Sequence, residues 1–173
     1  MALILLRHTT PDVAPGTCYG QTDLDTAATF ETEAAAAREA LPAFDRIVSS
    51  PLLRCRKLAD FVSAKTGLPV VSDPRLMEMD FGTWEGRAWA EIERSEIDAW
   101  AADFYHARPH GGESVAILQD RVRDALDDLR GRDTSTLIVS HAGVIRAALA
   151  RGETAADFNT EIAFGGFVTM SNT

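Results

Sequence analysis

Five side chains in this sequence could do chemistry together: Arg7, His8, Arg54, His141 and one carboxylate from the 78–85 stretch. Arginine presents a planar fork of donors that clamps a phosphate bidentately. A neutral imidazole is a competent nucleophile toward phosphorus, and a covalent intermediate divides one hard displacement into two easier ones. A second imidazole can donate to the phosphoryl oxygens as charge shifts in the transition state. A carboxylic acid kept protonated by apolar surroundings can hand its proton to a departing alcohol and then activate water. Glu78, Asp80 and Glu85 all lie among Leu76, Met77, Met79, Phe81 and Trp84, so residue type leaves that role open among three. Two guanidiniums and two imidazoles offset the charge of one phosphoryl group, so the set needs neither metal nor cofactor. His106 and His110 flank Arg108-Pro109 in a loop, and Cys18 and Cys55 form no C-x-x-C pair, so no metal site is expected from them.

Two apolar strands must deliver the histidines. Leu3 to Leu6 is an unbroken apolar run that stops at Arg7-His8, and Thr136 to Ser140 stops at His141, where Ala142 opens a helix. Such runs suit strands buried on both faces, whose carboxyl ends face the ligand crevice of an open α/β sheet. Ser50 as N-cap and Pro51 as first residue start a helix that runs to Gly67 and carries Arg54 in its first turn. There Arg54 points back at the unsatisfied N–H groups of the helix end, an arrangement that makes sense with an anion between them.

The loop after His8, rich in Pro and Gly, reads as an ordered lip over the crevice, with Tyr19 and Gln21 as candidate substrate contacts; Ala142 is a third. Asp25 or Thr26 caps a helix over 27–41 that Pro42 ends, and strands follow at Arg46–Ser49 and Pro69–Ser72. Residues 87–104 have near-helical apolar spacing and read as core and cap. Val115 to Leu129 forms a strongly amphipathic helix ending at Gly131, and Phe164–Ser171 closes the chain as an edge strand, antiparallel to its neighbour. This order predicts an α/β fold, a three-layer sandwich with a mainly parallel central sheet and helices on both faces.

The 173 residues suit one domain spanning 1–173, with an ordinary apolar share of 46% and charged share of 25%. Met1 to Leu6 is too short for a signal peptide or a membrane span, and two cysteines make no disulfide framework, so a cytoplasmic location is expected. A net charge of −9 argues against nucleic-acid and membrane partners. A small phosphorylated metabolite is the expected partner, and a homodimer is an open option.

Leu6-Arg7-His8-Thr9, Ser49-Ser50-Pro51-Leu52-x-Arg54, Leu76-x-Glu78-x-x-Phe81-Gly82-x-Trp84-Glu85-Gly86, Gly112-Glu113-Ser114 and Val139-Ser140-His141-Ala142-Gly143 together resemble the histidine phosphatase (phosphoglycerate mutase-like) superfamily. The resemblance covers nearly the whole chain. It implies that His8 is the phosphorylated nucleophile, that Arg7, Arg54 and His141 form the phosphate pocket, and that Glu78 is the proton donor. Thr9 stands where the usual pattern has Gly, and Pro11 and Ala14 stand where many members carry phosphate-touching polar residues, which counts against mutase activity. The Arg-His-Thr…Pro-Gly-x-Cys-Tyr-Gly-Gln-Thr-Asp stretch is similar to a short bacterial subgroup regarded as α-ribazole phosphatases of cobalamin biosynthesis. That similarity implies α-ribazole-5′-phosphate as substrate. Phosphatase activity on another small phosphomonoester, a mutase-like enzyme and a non-catalytic phosphate-binding module are the alternatives.

Overall fold

The computed structural model describes residues 1–130 and 133–171. Its centre is a five-stranded sheet in the order β3-β2-β4-β1-β5, built from β1 (Ala2–Arg7), β2 (Arg46–Ser49), β3 (Val70–Ser72), β4 (Thr136–Ser140) and β5 (Phe167–Ser171). β1 to β4 are mutually parallel where they pair, and β5 runs antiparallel to β1, as the sequence predicts. Alternation across the pleat explains why β1 is apolar without a break. Leu3 and Leu5 enter one core, beneath α4 (Val115–Leu129) and α5 (Ala142–Leu149). Ile4 and Leu6 enter another, beneath α1 (Phe30–Ala40) and α2 (Leu53–Thr66). The result is the expected three-layer sandwich.

β2, β4 and the start of α5 lie where the sequence puts them, and Gly67 ends α2 in the left-handed conformation that glycine adopts without strain. Other boundaries move. α1 begins at Phe30, not after an Asp25 or Thr26 cap, because residues 25–27 are held extended: Asp12 N–H donates to Asp25 O and Ala27 N–H to Thr10 O. α2 begins at Leu53, since Ser50 Oγ accepts from Leu52 N–H and keeps the chain before it non-helical. The cap at Leu53 N comes instead from the Asp23 carboxylate in the lip, at 2.7 Å.

Within 87–104 only α3 (Arg94–Ala102) is α-helical, because Cys18 N–H donates to Arg87 O and Trp89 N–H to Gly16 O, tying that segment to the lip. β5 starts at Phe167, after a turn at Gly165 (φ +70°) whose N–H donates to His8 O. Arg7 N–H donates to Gly166 O, so the glycine pair clasps the end of β1. The expected stop of α4 at Gly131 lies outside the described residues. Among the described residues no helix is long and apolar enough to cross a membrane.

α4 is fixed at its start by Ser114, whose side chain accepts from Ile117 N–H at 3.2 Å. Ser114→Ala should lower the urea unfolding free energy by about 1 kcal/mol while Ser114→Asp retains most of it. An unchanged midpoint in the alanine variant would show that this hydroxyl does not cap the helix.

Candidate active site

The histidines meet because their strands run in phase. Arg7 pairs with Ser140 across the parallel β1–β4 ladder, and His8 N–H donates to Ser140 O, so the following residues leave the sheet side by side. Their ring centroids lie 5.2 Å apart, at 62°. His8 Nδ1 lies 2.7 Å from Thr9 O. A carbonyl only accepts, so Nδ1 carries the proton and Nε2 presents a free lone pair. Burial, then the charges of Arg54 and Arg7, push the His8 pKa down to about 3, against a smaller opposing effect of the Thr9 carbonyl. His141 is fully buried, with Nε2 2.8 Å from Ser50 Oγ and 3.4 Å from Cys55 Sγ. Burial, followed by His8 and the nearby arginines, holds its pKa well below the usual value of 6.5. Both imidazoles are therefore neutral.

Arg54 has no solvent exposure. It donates to Gly20 O at 2.6 Å and Thr22 O at 2.7 Å, so the lip fixes it rather than the helix end the sequence suggests. Arg7 donates to Ile162 O at 2.6 Å, and its guanidinium carbon lies over Phe164, 3.8 Å from the ring centroid. Among the described residues neither arginine is in ion-pair distance of a carboxylate. Arg7 Nε, Arg54 Nε and Thr9 Oγ1 are buried without a hydrogen-bond partner. Unsatisfied buried donors are rare in folded proteins. Three of them, with two neutral imidazoles and two cations without carboxylate partners, make an arrangement chemically able to hold a small anion.

Of the three carboxylates, the fold separates the roles. Glu78 is buried at the cavity wall, where Oε1 accepts from Met79 N–H at 2.8 Å and Oε2 from Gly143 N–H at 3.1 Å. A Cβ at Gly143 would come within 2.1 Å of Glu78 Oε1, so only glycine lets the carboxylate sit there. Asp80 accepts from Gly82 N–H, and Glu85 gathers the N–H groups of Gly20, Thr22 and Phe81; both shape turns. The backbone that carries Glu78 is held by Arg121, which donates to the carbonyls of Arg75, Met77 and Glu78 and pairs bidentately with Glu113. Ser140 Oγ adds a bond to Leu76 O.

A cavity of about 330 Å³ opens beside this cluster. Arg7, His8, Thr17, Tyr19, Glu78 and Arg146 supply its polar lining, and Trp89, Trp100, Phe104 and Phe158 much of its apolar wall. Of the three candidate substrate contacts, Tyr19 and Ala142 line it. Gln21 does not: its amide donates to Glu78 O at 3.2 Å and braces the loop instead. Pro11, bridged to Thr26, and Ala14, exposed in the lip, also lie outside the lining. Sequence reasoning missed Asp23, Arg121, Arg146 and Phe164. Only the Gly112-Glu113-Ser114 motif hinted at Arg121, through its partner Glu113.

Residues 3–161 match the family model of the histidine phosphatase superfamily (branch 1). A glucosyl-3-phosphoglycerate phosphatase of Mycolicibacterium vanbaalenii is 32% identical over 163 residues, spanning 86% of this chain and 72% of that protein. The adenosylcobalamin/α-ribazole phosphatase of Escherichia coli is 34% identical over 113 residues, 62% of this chain and 56% of that one. Among solved structures, a mycobacterial glucosyl-3-phosphoglycerate phosphatase superposes with a TM-score of 0.85 at 29% identity, covering 97% of this chain and 88% of its own.

The neutral histidines make stability depend on pH. Unfolded histidine titrates near 6.5, so below that value the unfolded chain takes up protons that folded His8 refuses until about 3. Stability therefore rises with pH across that interval and falls as pH drops, by about 1.4 kcal/mol per pH unit for each such histidine. Urea unfolding between pH 6.5 and 4.5 should show a shallower decline for His8→Asn than for the parent. Identical slopes would mean that His8 is not held neutral.

Arg121→Ala frees three carbonyls and Glu113 at once. Because misplacing a reacting group by about 1 Å can cost about 100-fold in rate, kcat should fall by about 10- to 100-fold. Arg121→Lys should recover little, since an ammonium cannot reproduce the fork. Unchanged kcat in the alanine variant would show that Glu78 needs no such support.

Proposed function

The chain belongs to the histidine phosphatase superfamily and is a phosphatase, and from that premise we propose that it hydrolyses a small phosphomonoester through a phosphohistidine on His8, with α-ribazole-5′-phosphate as its leading substrate. In this reading Nε2 of His8 attacks phosphorus in line with the ester oxygen. The P–N bond forms as the P–O bond breaks, and the departing alkoxide takes a proton from Glu78. Arg7 and Arg54 hold the equatorial oxygens, and His141 donates to them as charge develops. Water then gives a proton to the Glu78 carboxylate while its oxygen attacks phosphorus. The P–N bond breaks, inorganic phosphate leaves, and His8 returns to its neutral form.

The observation that carries the chemistry is the free Nε2 lone pair of a neutral His8 beside two arginines without carboxylate partners. Supporting the substrate is the wall of Trp89, Trp100, Phe104 and Phe158, which suits a flat apolar base better than a polyhydroxylated sugar. A second reading, glucosyl-3-phosphoglycerate, draws on the longer match to that phosphatase and on the Arg146 guanidinium in the wall, which could receive a carboxylate. Both cores share one sheet, so we also read residues 1–173 as one catalytic domain.

Two measurements test this. His8→Ala should abolish turnover and the acid-labile, alkali-stable phosphoenzyme; turnover that persists would overturn the nucleophile. Across α-ribazole-5′-phosphate, glucosyl-3-phosphoglycerate and phosphoserine, kcat/KM should be highest for the first by at least about tenfold, since apolar complementarity is worth roughly 1–3 kcal/mol. A preference for the glucosyl ester would put the second reading in its place.

A further inference from the structure

Both arginines of the cup that should receive phosphate are already touched by one side chain of the protein. Arg54 and His141 have no solvent exposure, although Arg7, His8 and Glu78 face the open cavity. The side chain is that of Tyr19. Its ring lies over the Arg54 guanidinium, 5.2 Å from the centroid, and its hydroxyl is turned toward Arg7. An aromatic face attracts a cation through its quadrupole, yet it offers no lone pair to Arg54 Nε, and Arg7 Nε and Arg54 Nε both stay without a hydrogen-bond partner. A phosphate would supply the acceptors that the ring lacks.

Resting on the reading of Arg7, Arg54 and His8 as the phosphate site, we infer that Tyr19 is an internal competitor for that site, displaced by the incoming phosphate and setting its affinity more than the rate of transfer. The backbone shows how displacement must happen. On one side of Tyr19, Cys18 N–H donates to Arg87 O at 2.7 Å and Cys18 O accepts from Gly86 N–H at 2.8 Å. On the other, Gly20 N–H donates to Glu85 Oε1 at 3.1 Å and Gly20 O accepts from Arg54 at 2.6 Å. Gly20 is seated so closely on Met79 O that a Cβ there would come within 1.9 Å of it. The lip is thus pinned before and after the tyrosine, and lifting it would withdraw the carbonyls that hold Arg54. Rotation of the Tyr19 side chain alone opens the cup and leaves Arg54 anchored. The displaced ring moves into the cavity it already lines, beside Phe81 and Trp89, so phosphate binding reshapes the wall that meets the rest of the substrate.

A ligand that must displace a competing group binds more weakly by the fraction of molecules in which the site is free. Isothermal titration with inorganic phosphate should therefore give a Kd roughly 3- to 30-fold lower for Tyr19→Ala than for the parent, the range that corresponds to one cation–π contact. With p-nitrophenyl phosphate the gain should fall on KM, with kcat rising less than the affinity. Tyr19→Phe, which keeps the ring and drops the hydroxyl, should lie between the two and guards against a folding defect in the alanine variant. Weaker or unchanged phosphate binding in both variants would overturn the proposal and leave Tyr19 an ordinary contact or wall residue. Arg54→Ala separates the two readings. If the parent binds phosphate and Arg54→Ala loses it, the cup stands and only the role of Tyr19 is in question. If Arg54→Ala binds as well as the parent, the cup itself is misassigned and the inference falls with it.

Discussion

The in-phase parallel ladder between β1 and β4 is the constraint on which the site depends. Arg7 lies opposite Ser140, so the residues that follow each strand emerge at one level on the same edge of the sheet. A slip of one residue would turn Leu3–Leu6 over and exchange the two cores that its alternate side chains enter. The packing that makes the sheet stable is thus the same packing that brings the rings of His8 and His141 to 5.2 Å. No local preference at either histidine is required for this. β5 and the Gly165-Gly166 turn reinforce the arrangement from the other side, tying the end of β1 to the chain that carries Phe164.

Given that frame, the electrostatics are mutually consistent. A buried guanidinium is costly unless its donors are satisfied, and Arg54 meets part of that cost with two carbonyls of the lip. The same cations disfavour a proton on either imidazole, as burial also does. Cations without carboxylate partners beside neutral rings leave the site with an uncompensated positive charge, which suits the dianionic phosphate ester of the proposed reaction. This concentration of positive charge occurs in a chain whose net charge is −9, so it is a local product of the fold and not of composition.

How much of this was legible in the sequence follows from the range of the interactions. β1, β2, β4 and the amphipathic α4 are written in their own periodicity, and Gly67 announces the end of α2 by its conformational freedom. Where a boundary moves, a distant partner intervenes, at α2 together with the local bond from Leu52 N–H to Ser50 Oγ. Asp23 caps α2 from 30 positions away, and the lip takes the Arg87 carbonyl, which a longer helix over 87–104 would have used, together with the Trp89 N–H. The same division holds within the site. His8, His141, Arg7 and Arg54 are marked by where their strands and helix begin and end. Gln21 was drawn to the substrate by its place in the lip, but its amide is taken by Glu78 O, a bond that nothing near it in the chain reveals.

The choice among the three carboxylates shows why local chemistry could not suffice. Glu78, Asp80 and Glu85 share one short apolar stretch, and any of them could in principle serve as an acid. What distinguishes them is how many backbone donors each is asked to hold, and for what purpose. Glu85 gathers three N–H groups from the lip and its own turn, and Asp80 closes the turn at Gly82, so moving either would loosen the loop. Glu78 is held by donors on both sides, yet those donors belong to elements already fixed: Gly143 at the start of α5, and the loop that Arg121 secures through three carbonyls. Its carboxylate can therefore face the cavity at a constant position while the surrounding chain bears the mechanical load. Trp89, Trp100, Phe104 and Phe158 of the apolar wall come from α3, the turns around it and the approach to Ile162, whereas Met79, Phe81, Val115, Leu118 and Ala142 line the cavity from the segments that hold Glu78. The carboxylate and part of the cavity wall thus rest on one support, and only the aromatic part of the wall is carried on another.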